Sequence, residues 1–221
     1  MRVDRMITAE PIVSESDSDL FFEQYLLPRK IIVILRGLPP GETVAMCESA
    51  WNAGITFVEV PVQDDQAVAS LRAAVSAARR SDMIVGAGTV TTAARVREAA
   101  KAGARFTVAP SMDLAVAGYS VAAGMPHLGG VTTPAEVQRA VTAGFNWMKL
   151  FPAAQLTPGW VRALLAPFPE ARFVATGGVN ADNAAAFFAA GAKAAAIGSA
   201  AADPDQLQML AALAGPGAGT P

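Results

Sequence analysis

Short apolar runs alternate along the chain with longer Ala-rich segments, and an Ala-Gly pair stands ahead of most of the runs. The pair occurs at Ala53-Gly54, Ala102-Gly103, Ala123-Gly124, Ala143-Gly144 and Ala190-Gly191. Glycine just past a helix supplies the left-handed residue that ends it. The apolar run after each pair therefore reads as a buried strand. Gly103, Gly124 and Gly144 are about 20 residues apart, which suits one short strand–helix unit with tight loops. Strands are predicted over 31–35, 56–60, 83–86, 105–109, 125–128, 146–151, 172–175 and 194–197. Thr133-Pro134-Ala135-Glu136 is a capping-box pattern with proline in the first helical turn, and Thr157-Pro158 and Asn180-Ala181-Asp182 are similar helix starts.

Eight apolar strands, each followed by a helix, imply a parallel sheet covered on its outer side. The competing arrangements are an open doubly wound sheet and a closed (β/α)8 TIM barrel. The repeat continues evenly to the end, and no Gly-x-Gly-x-x-Gly turn follows the first strand, so the α/β barrel is the expected fold. Residues 16–27 read as an extra N-terminal helix that caps the base of the barrel. The 221 residues then divide into an N-terminal extension (1–14), one barrel domain (15–214) and a Gly/Pro-rich tail (215–221) expected to be disordered.

Composition narrows the function classes. The formal net charge is −2 and lysine and arginine do not cluster, so nucleic-acid binding has no electrostatic footprint. No apolar run reaches the roughly 18–20 residues that span a bilayer, and the N-terminus lacks the pattern of a signal peptide. His127 and Cys47 are the only histidine and cysteine, which disfavours a zinc site, excludes an internal disulfide and makes a cytoplasmic location the expectation. No metal and no cofactor is expected.

In a barrel of this kind chemistry sits at the C-terminal ends of the strands. Three charged residues fall there in otherwise apolar surroundings: Arg36, Glu59 and Lys149. Lysine is rarely buried, because taking an ammonium out of water is costly. A lysine that has lost its proton is a nucleophilic amine able to form a Schiff base with a carbonyl. The structural alternatives are a lysine whose stem snorkels to solvent, an arginine capping the rim, and a plain Glu59–Lys149 ion pair. A buried ion triad is a poor route to stability, and all three charges at strand ends point to a functional site. Thr176-Gly177-Gly178 and Gly198-Ser199 follow the last two strands, where many barrels hold a phosphate with backbone N–H groups.

These segments resemble the class I 2-keto-3-deoxy-6-phosphogluconate (KDPG) / 4-hydroxy-2-oxoglutarate (KHG) aldolase family over roughly residues 28–205. The matching segments are Ile34-Leu35-Arg36-Gly37, Ala53-Gly54-Ile55 through Val58-Glu59-Val60, Gly86-Ala87-Gly88-Thr89-Val90, Met148-Lys149-Leu150-Phe151-Pro152-Ala153 and Thr176-Gly177-Gly178-Val179. The resemblance implies a metal-free homotrimeric aldolase that takes a phosphorylated keto sugar acid. It implies Lys149 as the Schiff-base lysine and Glu59 as the proton carrier. Arg36, Thr89, Pro110 and Phe151 would then surround the pyruvate part of the substrate, and Thr176, Gly177, Gly178, Gly198 and Ser199 its phosphate. Two departures bear on the substrate. Gln63 stands where gluconate-type members carry an arginine, and Glu59-Val60-Pro61-Val62-Gln63 looks closer to the 2-dehydro-3-deoxy-6-phosphogalactonate branch. The fifth strand carries His127-Leu128-Gly129-Gly130 where family members have an aliphatic run ending in Pro-Gly.

The expected activity is cleavage of a KDPG- or KDPGal-type acid to pyruvate and glyceraldehyde 3-phosphate. Alternatives are a hydroxy-oxoglutarate aldolase giving pyruvate and glyoxylate, a phosphate-binding isomerase or epimerase with no Schiff base, and a non-catalytic sugar-phosphate or protein binder. His127 reads as a packed or pore-lining residue and Cys47 as a buried small hydrophobe. Trp51 and Trp160 read as helix-packing or subunit-contact residues.

Overall fold

The computed structural model describes residues 17–214, so the expectations for an extension at 1–14 and a disordered tail at 215–221 lie outside the described residues. Among the described residues nine strand segments pair in parallel: β1 Ile31–Ile34, β2 Phe57–Pro61, β3 Ile84–Gly88, β4 Thr107–Val108, β5 His127–Leu128, β6 Gly130–Val131, β7 Trp147–Leu150, β8 Arg172–Thr176 and β9 Ala194–Ile197. The order β5-β4-β3-β2-β1-β9-β8-β7-β6 begins and ends on one continuous stretch of chain. His127 and Leu128 pair with β4, while Gly130 and Val131 pair with β7, and Gly129 between them accepts from the Lys149 amide at 2.9 Å. The fifth expected strand is thus two half-strands that hand the sheet from one neighbour to the other and close the barrel. Its observed limits lie further along the chain than 125–128, because Gly129-Gly130 carries the second half of the pairing.

The helices between strands are α2 Pro40–Asn52, α3 Asp65–Ala77, α4 Ala93–Ala102, α5 Leu114–Ala122, α6 Pro134–Thr142, α7 Ala153–Leu165, α8 Ala181–Ala189 and α9 Pro204–Leu213. The capping box at Thr133 and Glu136 forms as its sequence predicts, and a second one joins Asn180 to Asn183. Thr157 breaks α7 with φ 64° and ψ 161°, so Thr157-Pro158 begins its second half. The glycines of the five Ala-Gly pairs all have φ between 75° and 109°, where a side chain is strained.

Strand alternation sends successive side chains to opposite faces. One set, including Ile31, Val33, Val58, Val60, Met148, Leu150, Phe173 and Ala175, packs outward against the helices. The other set, including Ile32, Phe57, Ile84, Phe106, Leu128, Trp147 and Val174, fills the barrel interior. The N-terminal segment joins that second cluster. It is a short α1 (Asp17–Phe21) running into a π-helical turn (Phe22–Leu26), not the one regular helix expected, whose first position, Ser16, lies outside the described residues. Phe22 lies 6.0 Å from the ring of Phe106 and 5.9 Å from that of Trp147, which makes it the plug of the barrel's base. Polar bonds hold the plug to the strands. Asp19 accepts from the amides of Asn146 and Trp147 at 3.0–3.2 Å, and Ser18 accepts from the His127 amide at 3.1 Å.

Candidate active site

Strand parity explains the placement of the two principal residues. Glu59 is two positions beyond Phe57, and Lys149 two beyond Trp147, so both share the inward face of the cluster that includes those aromatic rings. Aromatic and aliphatic side chains fill the lower layers. Glu59 and Lys149 stand one step higher, toward the C-terminal ends of the strands.

Lys149 is 5 % exposed and Glu59 1 %. Each has a glycine at the register position of one neighbouring strand. Glu59 is in register with Gly86 of β3, and Lys149 with Gly130 of β6 and Val174 of β8. Gly88 makes room for the carboxylate, since a Cβ there would overlap Glu59 Oε1. Among the described residues neither Glu59 oxygen has a hydrogen-bond partner, so the direct Glu59–Lys149 bond considered above is not made. A carboxyl group so placed is costly to the fold. The Lys149 amine instead lies over the ring of Phe151, with Nζ 5.3 Å from the ring centroid.

Arg36 does not enter the ring with the other two charges. It lies at the exposed rim beyond β1 and donates from Nη1 to Thr89 Oγ1 at 3.4 Å. The structure therefore joins Arg36 to Thr89, as expected of a pair on one part of a ligand, but places the guanidinium above the barrel rather than inside it. Thr89 holds φ 57°, a strained conformation for a non-glycine residue, of the kind that gathers at functional sites. Pro110 follows β4, and its carbonyl fills the space where a Cβ on Gly130 would stand, beside the register position of Lys149.

A cleft of about 940 Å³ opens at this end of the barrel. Arg36, Phe151, Thr176, Gly177, Gly178, Gly198 and Ser199 all line it, so the residues expected at a phosphate share one wall system with the arginine and the phenylalanine. Phe151 links the cleft to the buried amine, since its ring borders both. Gly177 and Gly178 have φ 92° and 72°, and a Cβ on Gly177 would come within 3.0 Å of the Phe151 ring. Thr176 is buried and its hydroxyl donates to the carbonyl of Val174 at 3.2 Å. The opposite side of the cleft includes Glu42, Ala45 and Met46 of α2. Those residues carry no strand-end signal, so reading the strand ends alone misses them.

The remaining singled-out residues fall outside this arrangement. His127 is packed between sheet and helix: its Nδ1 is 2.8 Å from Thr107 Oγ1, which lies 2.6 Å from Ser120 Oγ on α5. Burial pushes its pKa down to about 4, opposed by the charge of Asp113. Cys47 is buried on α2, and burial raises its thiol to about 12, with Glu48 adding to the effect. Trp51 is buried on the same helix, and Trp160 is part-buried on α7. Gln63 is exposed after β2, and its carbonyl accepts from Arg95 Nη2 at 2.7 Å. Among the described residues no group of three or more His, Cys, Asp or Glu side chains could hold a metal ion, and no helix is long and apolar enough to cross a membrane.

The family model for KDPG and KHG aldolase matches residues 23–212. A Rhizobium meliloti (strain 1021) protein named "Probable 2-dehydro-3-deoxy-6-phosphogalactonate aldolase" is 35% identical over 78% of this chain and 82% of its own. The 2-dehydro-3-deoxy-6-phosphogalactonate aldolase of Escherichia coli (strain K12) is 34% identical over 76% of this chain and 82% of its own. Among solved structures, one titled "Native KDPGal structure" superposes with a TM-score of 0.74 at 32% identity, covering 82% of this chain and 90% of that one.

Proposed function

The chain belongs to the KDPG and KHG aldolase family, a family of carbon–carbon lyases, and we propose that its own substrate is a 2-keto-3-deoxy-6-phospho sugar acid of the galactonate type. One observation carries the chemical part of this reading: a buried amine, Lys149, shares an inward barrel face with a buried carboxyl, Glu59, that has no hydrogen-bond partner. Two such groups at the strand ends are costly for folding and suited to a Schiff-base reaction.

In the proposed cycle the Lys149 amine attacks the C2 ketone to give a carbinolamine. Loss of water, with Glu59 carrying protons directly or through a water, gives the protonated imine. Glu59 then takes the proton of the C4 hydroxyl as the C3–C4 bond breaks. The bonding pair moves into the imine, leaving an enamine, and the aldehyde departs as glyceraldehyde 3-phosphate. Protonation of the enamine carbon and hydrolysis release pyruvate and return the free amine. Arg36 and Thr89 hold the carboxylate end, with Pro110 and Phe151 as the walls about the pyruvate part. The backbone of Thr176, Gly177, Gly178 and Gly198, with the Ser199 hydroxyl, holds the phosphate.

The galactonate choice is supported by the two relatives named for that substrate and by Pro61-Val62-Gln63 after the glutamate. The same reading carries a homotrimer, which rests on the family resemblance, working in the cytoplasm, which rests on the single cysteine, Cys47. Pyruvate release, coupled to a dehydrogenase, should be measured on the galactonate- and gluconate-type phosphorylated acids and on 4-hydroxy-2-oxoglutarate. The galactonate-type acid should have the highest kcat/KM, and Lys149→Ala should abolish release from all three. Equal or better turnover of the unphosphorylated acid would refute the phosphate assignment, and preference for the gluconate-type acid would refute the choice of branch.

A further inference from the structure

We propose that Thr132 is a positioning residue for the reacting amine, acting through Phe151; the proposal rests on the Schiff-base reading of Lys149. Thr132 follows β6 and carries three hydrogen bonds to three different places. Its amide donates to Glu136 Oε2 at 2.9 Å, the carboxylate of the capping box that opens α6. Its carbonyl accepts from Trp160 Nε1 of α7 at 2.7 Å. Its hydroxyl donates to the carbonyl of Phe151 at 2.6 Å, a short bond for an O–H donor. The Phe151 amide donates to the neighbouring Val131 carbonyl at 3.2 Å, so residues 131–132 hold the Phe151 backbone from both sides.

The position of Phe151 matters twice. Its ring faces the Lys149 amine, with Nζ 5.3 Å from the centroid. Its other contact is with the glycine loop, where a Cβ on Gly177 would come within 3.0 Å of the ring. A shift of Phe151 therefore moves the surface against which the amine rests. Phe151 is 37 % exposed and borders the open cleft, so packing alone does not hold it. The Thr132 hydroxyl is the side-chain group bonded to that residue's backbone, and Trp160 and the Glu136 cap fix Thr132 in turn. In-line approach of an amine to a ketone is sensitive to misplacement by a fraction of an ångström to one ångström, so losing this restraint should slow the chemical step more than binding.

The test compares Thr132→Val, which keeps the branched shape and loses the hydroxyl, with Thr132→Ser, which restores the hydroxyl. Steady-state pyruvate release gives kcat and KM, and borohydride trapping of Lys149 with pyruvate gives the rate of imine formation. Thr132→Val should lower kcat and the trapping rate by about tenfold, the factor of one ordinary hydrogen bond, with KM within about twofold of the parent. Thr132→Ser should restore most of both rates. A valine variant with parental kcat, a change confined to KM, or a serine variant as slow as the valine one would each overturn the proposal. If Thr132→Val does not fold, Trp160→Phe decides in its place: it loses the bond to the Thr132 carbonyl, and a lowered kcat at unchanged KM supports the proposal while parental kcat overturns it. Absence of any trapped adduct in the parent would overturn the Schiff-base reading itself, and the proposal with it. Trapping of equal speed in parent and valine variant overturns the proposal alone.

Discussion

Glu59 spends stability that a neutral side chain would return. Both its oxygens are buried without a hydrogen bond to any described residue, above barrel layers filled by apolar groups. Replacing it by an apolar residue of similar size removes the desolvation cost, so Glu59→Leu should be more stable than the parent by about 1–3 kcal/mol in urea unfolding. The same substitution should lower kcat by about two to four orders of magnitude, the range of a general acid–base group. A variant that is less stable, or still active, would remove Glu59 from its proposed role. Gly88 makes the companion prediction. A methyl at 88 would overlap the Glu59 carboxylate, so Gly88→Ala should displace it and cost about tenfold or more in kcat, against little change for alanine at Gly41, where nothing lies within 4 Å of the added carbon. Cys47 illustrates the opposite case, a group buried for packing. With its thiol raised to about 12 on an enclosed helix face, it should react with a thiol reagent only as fast as the protein unfolds.

At the scale of elements, the plug and the split strand carry the design. Asp19 receives the amides of Asn146 and Trp147 at the start of β7, the strand that bears Lys149 two residues on. Asp19→Ala leaves those amides without this acceptor and should cost about 2–3 kcal/mol, measured by urea unfolding. The β4–α5–β5 layer has its own pH response. His127 has a pKa of about 4 when folded and an ordinary value of 6.5 when unfolded, because burial disfavours its charged form. Between those values the unfolded chain binds a proton that the folded chain refuses. Stability is therefore whole above pH 6.5 and falls as pH drops toward 4, by up to about 3 kcal/mol from this group. His127→Gln should flatten that part of the curve, and identical pH profiles for parent and variant would show that His127 is not its source. Helix starts were legible beforehand at Thr133 and Asn180 because capping chemistry is local, whereas Thr157-Pro158 marks only the second half of α7, which begins at Ala153. The division of the fifth strand at Gly129 was not, because it depends on which neighbour each half pairs with, and those neighbours are about 20 residues away on either side.

For the molecule as a whole, the barrel could be read from eight apolar runs because the strands are buried on both faces and five of the helices end in a left-handed glycine. The inward pairing of Glu59 and Lys149 followed from strand ends alone, since parity fixes which residues share a face. Arg36 was expected in the same ring but stands at the exposed rim on Thr89, because β1 ends at Ile34, before that position. The α2 side of the cleft, with Glu42 and Met46, and the Thr132 tie to Phe151 were beyond such a reading. Both arise where separate elements meet, and no periodic signal marks the meeting. All the same, the barrel brings the amine, the carboxyl and the glycine loops to one end, the arrangement that the proposed cleavage of a phosphorylated keto acid uses. The most direct measurement is reduction with borohydride in the presence of pyruvate, followed by peptide mass mapping. A stable pyruvate-derived adduct on Lys149, lost in Lys149→Ala, is the expected result. An unmodified Lys149, or an adduct carried by another lysine, would contradict the account.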